Sequence, residues 1–272
     1  MSTSNTIHIM GGLGNQLFQI FTLISYTLTY KKSFYFEHKP IDRVDRPYYW
    51  DNFLKNLKHF ILLPTMNIPV FREANFHYSE IPLINKPFKL FGYYQSYKYF
   101  HSNKDQIERF IKLEDQTNNY KDSYDFNNIV SLHFRIGDYI NLQNHHPIMT
   151  IDYYKNALES LINKTNKNDW NVLYFCEEKD INIVLENINK LKGYFPELNF
   201  TKINSKYVDW EQMIIMSLCQ HNIIANSSFS WWGAYFNKNK NEVFYPSIWF
   251  GPAQGEKNTA DLFLPEWNKI MC

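Results

Sequence analysis

An apolar run at residues 128–134 ends in side chains that can do chemistry. In an extended chain His133 and Arg135 point to one side of the strand, and Phe134 and Ile136 point to the other. Arg135 is the only arginine beyond residue 110. A guanidinium holds a phosphate or carboxylate with a fixed fork of donors, which a lysine ammonium lacks. The pattern predicts that this strand end binds an anionic group.

Gly137 and Asp138 follow directly and extend this cluster. Gly137 permits a turn, and Asp138 beyond it has two open roles. It either orients Arg135 or takes a proton from a bound hydroxyl as a general base. A structural Arg–Asp pair beside a satisfied core histidine would give the same spacing, so a purely structural interpretation also stays open.

A second cluster is the glycine-rich turn at residues 11–16, which stands between an apolar strand and an amphipathic helix. Leu17 replaces the third glycine of a dinucleotide fingerprint, so a nicotinamide site is not predicted. The turn and the helix start that follows still allow close approach of an anionic ligand. Asn15 and Gln16 add two amides that a ligand could use. A tight strand-to-helix connection without a ligand is the alternative.

A third cluster follows a predicted buried strand at 221–225 and opens the next helix. Asn226 and the serines behind it supply more amides and hydroxyls than one helix cap needs, which indicates a second phosphate or nucleotide contact. Capping alone is the alternative. Trp231, Trp232 and Gly233 are expected to pack this helix closely on the sheet.

Acidic residues end another predicted strand. Glu177 and Glu178 either contact a ribose or base, or form a solvated acidic turn, and Asp180 is expected to cap the following helix. No metal site is predicted, because His145 and His146 are adjacent without a third ligand at a useful spacing and the sequence contains no Asp-x-Asp.

These clusters need elements to position them, and the C-terminal half supplies a regular alternation. Strands are predicted at 128–134, 171–176, 198–203, 221–225 and 242–245, with helices at 151–163, 180–192, 208–220 and 228–237. This alternation predicts a parallel sheet with helices on both faces. Such sheets bind ligands outside the carboxyl ends of their strands, where the clusters stand.

The N-terminal half is less regular. Strands are predicted at 6–10, 33–37 and 89–96, a helix at 97–113 and a linker at 114–127, whereas the proline-punctuated residues 38–90, which include Pro40 and Pro64, predict no clear element. We therefore expect two domains, an N-terminal lobe at 1–127 and a C-terminal lobe at 128–272, with the last residues packing back on the first lobe.

Composition limits the possible partners. A net charge of +1 over 272 residues without a basic cluster argues against a nucleic-acid partner. Three widely spaced cysteines fit a reducing compartment. Neither a signal peptide nor a transmembrane segment is predicted, so a soluble, cytoplasmic protein is expected. The oligomeric state is not predictable from the sequence.

Four segments taken together, residues 11–19, 92–100, 133–139 and 209–236, closely resemble the family 11 glycosyltransferases, the α-1,2-fucosyltransferases, in the family's order. The resemblance implies an α/β fold of the GT-B type, two Rossmann-like lobes with the donor site mainly in the C-terminal lobe. It implies GDP-fucose as donor and a glycan acceptor met by the N-terminal lobe. The reaction implied is inverting transfer of L-fucose to a hydroxyl, galactose 2-OH, without a metal or other cofactor.

The same resemblance implies roles for individual residues. Arg135 would bind the donor diphosphate, His133 would lie in the nucleotide site, and Gly14, Asn15 and Gln16 would lie by the sugar and β-phosphate. Arg135 and Asp138 are the candidate catalytic residues. The candidate donor-binding residues are Gly12, Gly14, Asn15, Gln16, His133, Arg135, Glu177, Asn226, Ser227, Ser228, Phe229 and Ser230.

Two departures from the family pattern bear on the donor. Ile136 stands where a second arginine is usual, and Cys176-Glu177-Glu178 stands where Ser-Asp-Asp is frequent. Another nucleotide sugar as donor therefore stays open, as does a nucleotide- or glycan-binding protein without turnover. The absence of an anchor, unlike membrane-anchored animal relatives, fits a microbial or viral origin, in the latter case within the host cytoplasm.

Overall fold

The computed structural model describes residues 4–38, 47–63, 68–239 and 242–272. The chain forms two compact units, and each unit is built from two separate segments of the sequence. The first unit comprises the residues up to Gln116 and the segment Lys257–Leu264, and the second comprises Thr117–Glu256 and Pro265–Cys272. No helix in the described ranges has the length and apolar character needed to cross a membrane.

The first unit is built on short parallel strands. Its elements are β1 (Thr6–Ile7), α1 (Leu13–Thr29), β2 (Phe36–Glu37), β3 (Ile61–Leu62), β4 (Val70–Arg72), β5 (Lys89–Phe91) and α2 (Lys104–Phe110), with α3 (Leu113–Asn118) at its boundary. One sheet has the order β1-β5-β4, and β2 pairs with β3. Helix α1 carries no charged residue and is buried along most of its length, as expected for a helix that is apolar on nearly every side.

Several predictions for this half are wrong. The strand predicted at 89–96 ends at Phe91, because Tyr94 has a left-handed backbone, with φ of 53°, that no strand accommodates. The helix predicted at 97–113 is replaced by two single turns and the short α2, and the predicted linker begins with α3. The region 38–90 contains β3 and β4, whereas Pro40 and Pro64 lie outside the described residues.

The second unit contains the predicted alternation. Its elements are β6 (Ile129–His133), α4 (Ile151–Thr165), β7 (Asn171–Phe175), α5 (Ile181–Tyr194), β8 (Asn199–Lys202), α6 (Asp209–Leu218), β9 (His221–Ile223), α7 (Ser228–Tyr235), β10 (Val243–Pro246) and β11 (Asn268–Ile270). The six strands are parallel in the order β11-β10-β9-β6-β7-β8. The predicted parallel sheet is confirmed, and β11 is an addition that the sequence pattern did not indicate.

The strand order positions the site. From β6 the chain runs outward to β7 and β8, and it then returns to the other side of β6 to form β9. The strand order therefore reverses between β6 and β9, and a crevice opens at such a point outside the carboxyl ends of the strands. Residues 133–138 follow β6 and residues 226–230 follow β9, so the topology brings two of the predicted clusters together.

Two side chains that follow β6 pack into the hydrophobic core of the second unit. Phe134 and Ile136, each 2% exposed, belong to one hydrophobic cluster with Val130 and Leu132, which confirms the predicted side for these two residues.

The close packing predicted for Gly233 is against α6 and not against the sheet, because a Cβ there would lie 2.8 Å from the Cβ of Met216.

Candidate active site

Arg135 lies just beyond β6, between two carboxylates. One terminal nitrogen donates to Glu177, which follows β7, and the other donates to Asp138. Glu177 also pairs with Lys179, at 2.7 Å. The guanidinium carbon lies 5.0 Å from the ring centroid of Tyr139. These contacts fix the orientation of the cation at the carboxyl edge of the sheet.

The turn that holds Asp138 depends on Gly137, which has a positive φ of 38°. The Gly137 N–H donates to Asp180 Oδ2 at 2.8 Å. Asp180 stands at the N-cap position of α5, as predicted, but its side chain makes no cap hydrogen bond and holds the neighbouring turn instead. A Cβ on Gly137 would lie 2.9 Å from Glu177 Oε1, so a larger residue here would displace the carboxylate that pairs with Arg135.

His133 is the last residue of β6 and is buried, with 6% of its surface exposed. Burial, together with the charge of Arg135, lowers the pKa of His133 to about 3, so the ring is neutral at physiological pH. Its Nδ1 has no hydrogen-bond partner among the described residues, which contradicts the interpretation of a satisfied core histidine. The ring centroid lies 5.6 Å from that of Phe229 on α7.

Asn226 lies after β9 and joins the same region. Its Nδ2 donates to the carbonyls of Pro147 and Trp249, at 2.8 and 3.3 Å, and its buried Oδ1 has no partner within the described ranges. The Tyr139 hydroxyl donates to the Asn226 carbonyl at 3.1 Å. Tyr139 thus contacts both clusters, through Arg135 on one side and Asn226 on the other.

The serines that follow open helix α7. Ser227 is its N-cap, and its hydroxyl accepts from the Phe229 N–H at 3.3 Å. The Ser230 hydroxyl donates to the Ser227 carbonyl at 3.4 Å. The capping interpretation is therefore confirmed for Ser227, while Ser228 is half-buried at the first helical position.

The glycine turn lies in the first unit. Gly11 has a φ of 81°, and Gly12 is the N-cap of α1, which places Gly14 and Asn15 in the first turn. Gln16 is 1% exposed, and its Nε2 donates to the carbonyls of Gly11 and Pro47, at 3.0 and 2.9 Å. The Gln16 nitrogen therefore holds the turn, and its Oε1 has no partner in the described part of the chain.

Sequence reasoning gave no role to Tyr139 and Gln95, and it assigned Asp180 only to a helix cap. Tyr139 bridges the clusters, Asp180 holds Gly137, and Gln95 donates through Nε2 to Asn15 Oδ1 at 2.7 Å. Tyr139 and Gln95 lie within segments already singled out by resemblance, which was the available indication. The adjacent histidines His145 and His146 have different partners. His146 stacks on Tyr139, and His145 contacts Gln254.

The second unit thus collects a cation, a neutral imidazole, a buried amide oxygen and the N–H groups at the start of α7 at one sheet edge. Donors of this kind suit an anionic ligand, and buried unpaired acceptors suit a ligand with its own N–H or O–H groups. Among the described residues no group of three or more His, Cys, Asp and Glu side chains is arranged to hold a metal ion.

Comparison with known proteins places the chain among enzymes of one family. The sequence matches Glycosyl transferase family 11 over residues 1–271. An alpha-1,2-colitosyltransferase of Escherichia coli is 25% identical, over 96% of this chain and 97% of its own length. The O-antigen biosynthesis glycosyltransferase WbnK of Escherichia coli is 27% identical, over 64% of this chain and 59% of its own length.

Among solved structures, a mutant of Arabidopsis thaliana FUT1 in complex with GDP has a TM-score of 0.49 and 9% identity, covering 97% of this chain and 75% of that chain. The predicted fold class, two Rossmann-like α/β lobes of the GT-B type, is confirmed, since the described residues form two units and the strands within each unit are parallel. Because the family match spans all four motifs and nearly the whole sequence, this chain belongs to glycosyl transferase family 11.

Proposed function

We propose that this chain is an inverting, metal-independent glycosyltransferase that moves L-fucose from GDP-fucose to the 2-hydroxyl of galactose in a glycan acceptor. One observation carries the proposal. The clusters after β6 and β9, predicted from separate motifs, meet at the point where the strand order of the parallel sheet reverses. Arg135 and the N–H groups at the start of α7 are the donors there that suit an anionic diphosphate, which would replace Asp138 and Glu177 as partner of the guanidinium.

The proposed reaction is a single displacement. The acceptor hydroxyl oxygen attacks the anomeric carbon, the bond from that carbon to the diphosphate oxygen breaks, and GDP leaves with the electron pair. Negative charge then accumulates on the leaving diphosphate. Arg135 and the N–H groups at the start of α7 stabilise this charge, and one such preorganised donor typically contributes about a hundred- to thousandfold in kcat.

Asp138 is the proposed acceptor of the hydroxyl proton, and its alternative role is to orient Arg135, which it contacts directly. Two variants separate these roles. Arg135→Lys keeps the charge and loses the fork, so we expect GDP affinity and transfer to fall together, by about a hundredfold in transfer. Asp138→Asn should leave GDP affinity near wild type while transfer falls. Transfer by Asp138→Asn at the wild-type rate would show that Asp138 is not the base.

A different nucleotide sugar is the second candidate, and two observations favour it. Ile136, which replaces a usual arginine, is buried in the core and brings no charge to the donor. The alpha-1,2-colitosyltransferase of Escherichia coli, to which this chain is similar, is named for colitose and not for fucose. We expect GDP-linked fucose to be used in preference to GDP-colitose, and UDP- and dTDP-sugars to be inactive.

The decisive experiment supplies each donor with a panel of galactosides and reads product and linkage. Transfer from GDP-fucose in the presence of EDTA supports the proposal, including its metal independence. Transfer from GDP-colitose alone would replace the proposed donor. Binding of GDP or glycan without transfer and without slow donor hydrolysis would instead identify a binding protein.

A further inference from the structure

We infer that Gln95 and Glu73 are positioning residues that fix the side-chain amide of Asn15 at the start of α1. The inference rests on the proposed function in one respect, since it takes Asn15 as a contact of the donor sugar and its β-phosphate. The contacts that carry it all lie within the first unit. They link β4, the turn after β5 and the first turn of α1.

The first contact sets which atom of Asn15 is available. Gln95 is 8% exposed and donates through Nε2 to Asn15 Oδ1 at 2.7 Å. With its oxygen engaged, Asn15 presents Nδ2, a donor. That nitrogen lies over Gly11, where an added Cβ would be 2.6 Å away, so the missing side chain makes room for it. A flipped amide would present an oxygen to an anionic group and repel it.

The second step concerns how Gln95 is held. The preceding residue, Tyr94, is 1% exposed and has a φ of 53°. A bulky residue in this conformation is strained and persists only where its surroundings impose it. Because Gln95 follows directly, its direction toward Asn15 depends on this conformation.

Glu73, just beyond β4, supplies the restraint. Its two carboxylate oxygens accept from the N–H groups of Tyr93 and Tyr94, at 2.7 and 2.9 Å. The side chain reaches them by crossing Gly92, where a Cβ would lie 2.3 Å from the Glu73 Cβ. Both oxygens are thus committed to the backbone, which assigns Glu73 to holding the turn.

Two variants and a matched control test the inference. Gln95→Glu replaces the donor with an acceptor, so Asn15 should turn its nitrogen away from the ligand. Glu73→Gln keeps the shape but retains only one oxygen for two N–H groups. We expect the KM for the nucleotide-sugar donor to rise about tenfold or more in Gln95→Glu and severalfold in Glu73→Gln. The KM for the acceptor should stay near wild type.

Gln116→Glu is the control. Gln116 is a glutamine of similar burial, 7% exposed, that donates to the carbonyls of Phe53 and Ile111 and lies outside this chain of contacts. Gln116→Glu should lower the melting temperature and leave the KM for the nucleotide-sugar donor unchanged. An equal rise of donor KM in the Gln95 and Gln116 variants would overturn the inference, since general loosening would then explain it.

A readout independent of transfer keeps the inference separate from the proposed function. The side-chain amide protons of Gln95, identified in NMR spectra by their loss in Gln95→Glu, should exchange slowly in the wild type, because the buried Nε2 donates to Asn15, and faster in Glu73→Gln. Unchanged exchange in Glu73→Gln would overturn the inference even if the enzyme were active. If no donor were transferred but exchange changed as expected, the proposed function would fail and the positioning contacts would stand.

Discussion

His133 and Arg135 are two residues apart and differ in charge: the His133 ring is neutral, and the Arg135 guanidinium is positively charged. His133 is enclosed, and burial and the nearby guanidinium both disfavour its proton. Arg135 is one-fifth exposed and has two carboxylates as partners. A neutral ring with an unpaired Nδ1 beside a fixed cation can bind two different parts of one ligand. The pair is thus suited to a molecule with both a charged and an uncharged polar end.

The lowered pKa of His133 makes the stability of the protein depend on pH. In the unfolded chain this histidine titrates near 6.5, and in the folded chain near 3. Between these values the unfolded state binds more protons, so stability falls as the pH is lowered from about 6.5 toward 3. From pH 7.5 to 5 we expect His133 to account for a loss of about 2 kcal/mol.

Denaturant unfolding of the wild type and of His133→Gln at both pH values measures this contribution. The variant should lose less stability between pH 7.5 and 5 than the wild type does. The absolute stability at pH 7.5 is not the test, because the substitution also changes packing. Equal losses in the two proteins would contradict the assignment of the lowered pKa to His133.

At the scale of elements, regular alternation predicted the second unit well because four of its six strands have four or five residues and its helices have eight to fifteen, whereas the three-residue β11 was missed. Arg135 and Asn226 could be placed because both stand at the carboxyl end of a recognisable strand. The pairing of Arg135 with Glu177 could not be predicted, since it joins loops that only strand order brings together. The elements of the first unit were predicted poorly because its strands have only two or three residues, which is too few to show an alternating pattern.

The packing of α6 against α7 gives a prediction at this scale. A Cβ at Gly233 would lie 2.8 Å from the Cβ of Met216 and 3.1 Å from its Sδ, where there is no space for it. Gly233→Ala should therefore destabilise the protein by about 1–3 kcal/mol through overpacking. Urea unfolding at pH 7.5 measures the change.

Gly193 near the end of α5 is the matched control, because nothing lies within 4 Å of a Cβ added there. Gly193→Ala should stabilise the protein by about 0.5 kcal/mol through the lower entropy of the unfolded chain. If Gly233→Ala lowers the free energy of unfolding while Gly193→Ala raises it, the space available beside α6, and not helix propensity, decides the effect. A stabilising Gly233→Ala would refute the close approach of the two helices.

At the scale of the whole molecule, the last sixteen residues contribute to both units in turn. In the first unit the Ser96 hydroxyl donates to the carbonyl of Asp261 at 2.7 Å, and Lys98 pairs with the Asp261 carboxylate. In the second unit Trp267 packs near Trp231, with 5.5 Å between the ring centroids. Each unit therefore depends on chain that follows the other in sequence, and neither is a single continuous segment.

This arrangement predicts unequal effects of shortening the chain. Deletion of residues 265–272 removes β11, the buried Trp267 and Ile270, and the bond from Asn268 Nδ2 to Glu242 Oε2 at 2.7 Å. Two buried side chains at about 1.5–3 kcal/mol each give a loss of about 3–6 kcal/mol, confined to the second unit.

Hydrogen exchange locates this loss. The amides of β9 and β10 should lose protection, because β10 becomes an edge strand, whereas those of β1 and β5 should keep theirs. Deletion of Met271 and Cys272 alone, both exposed, is the control and should leave both units protected. If protection fell equally in the two units after removal of 265–272, they would unfold as one cooperative body, and the division of stability between them would be wrong.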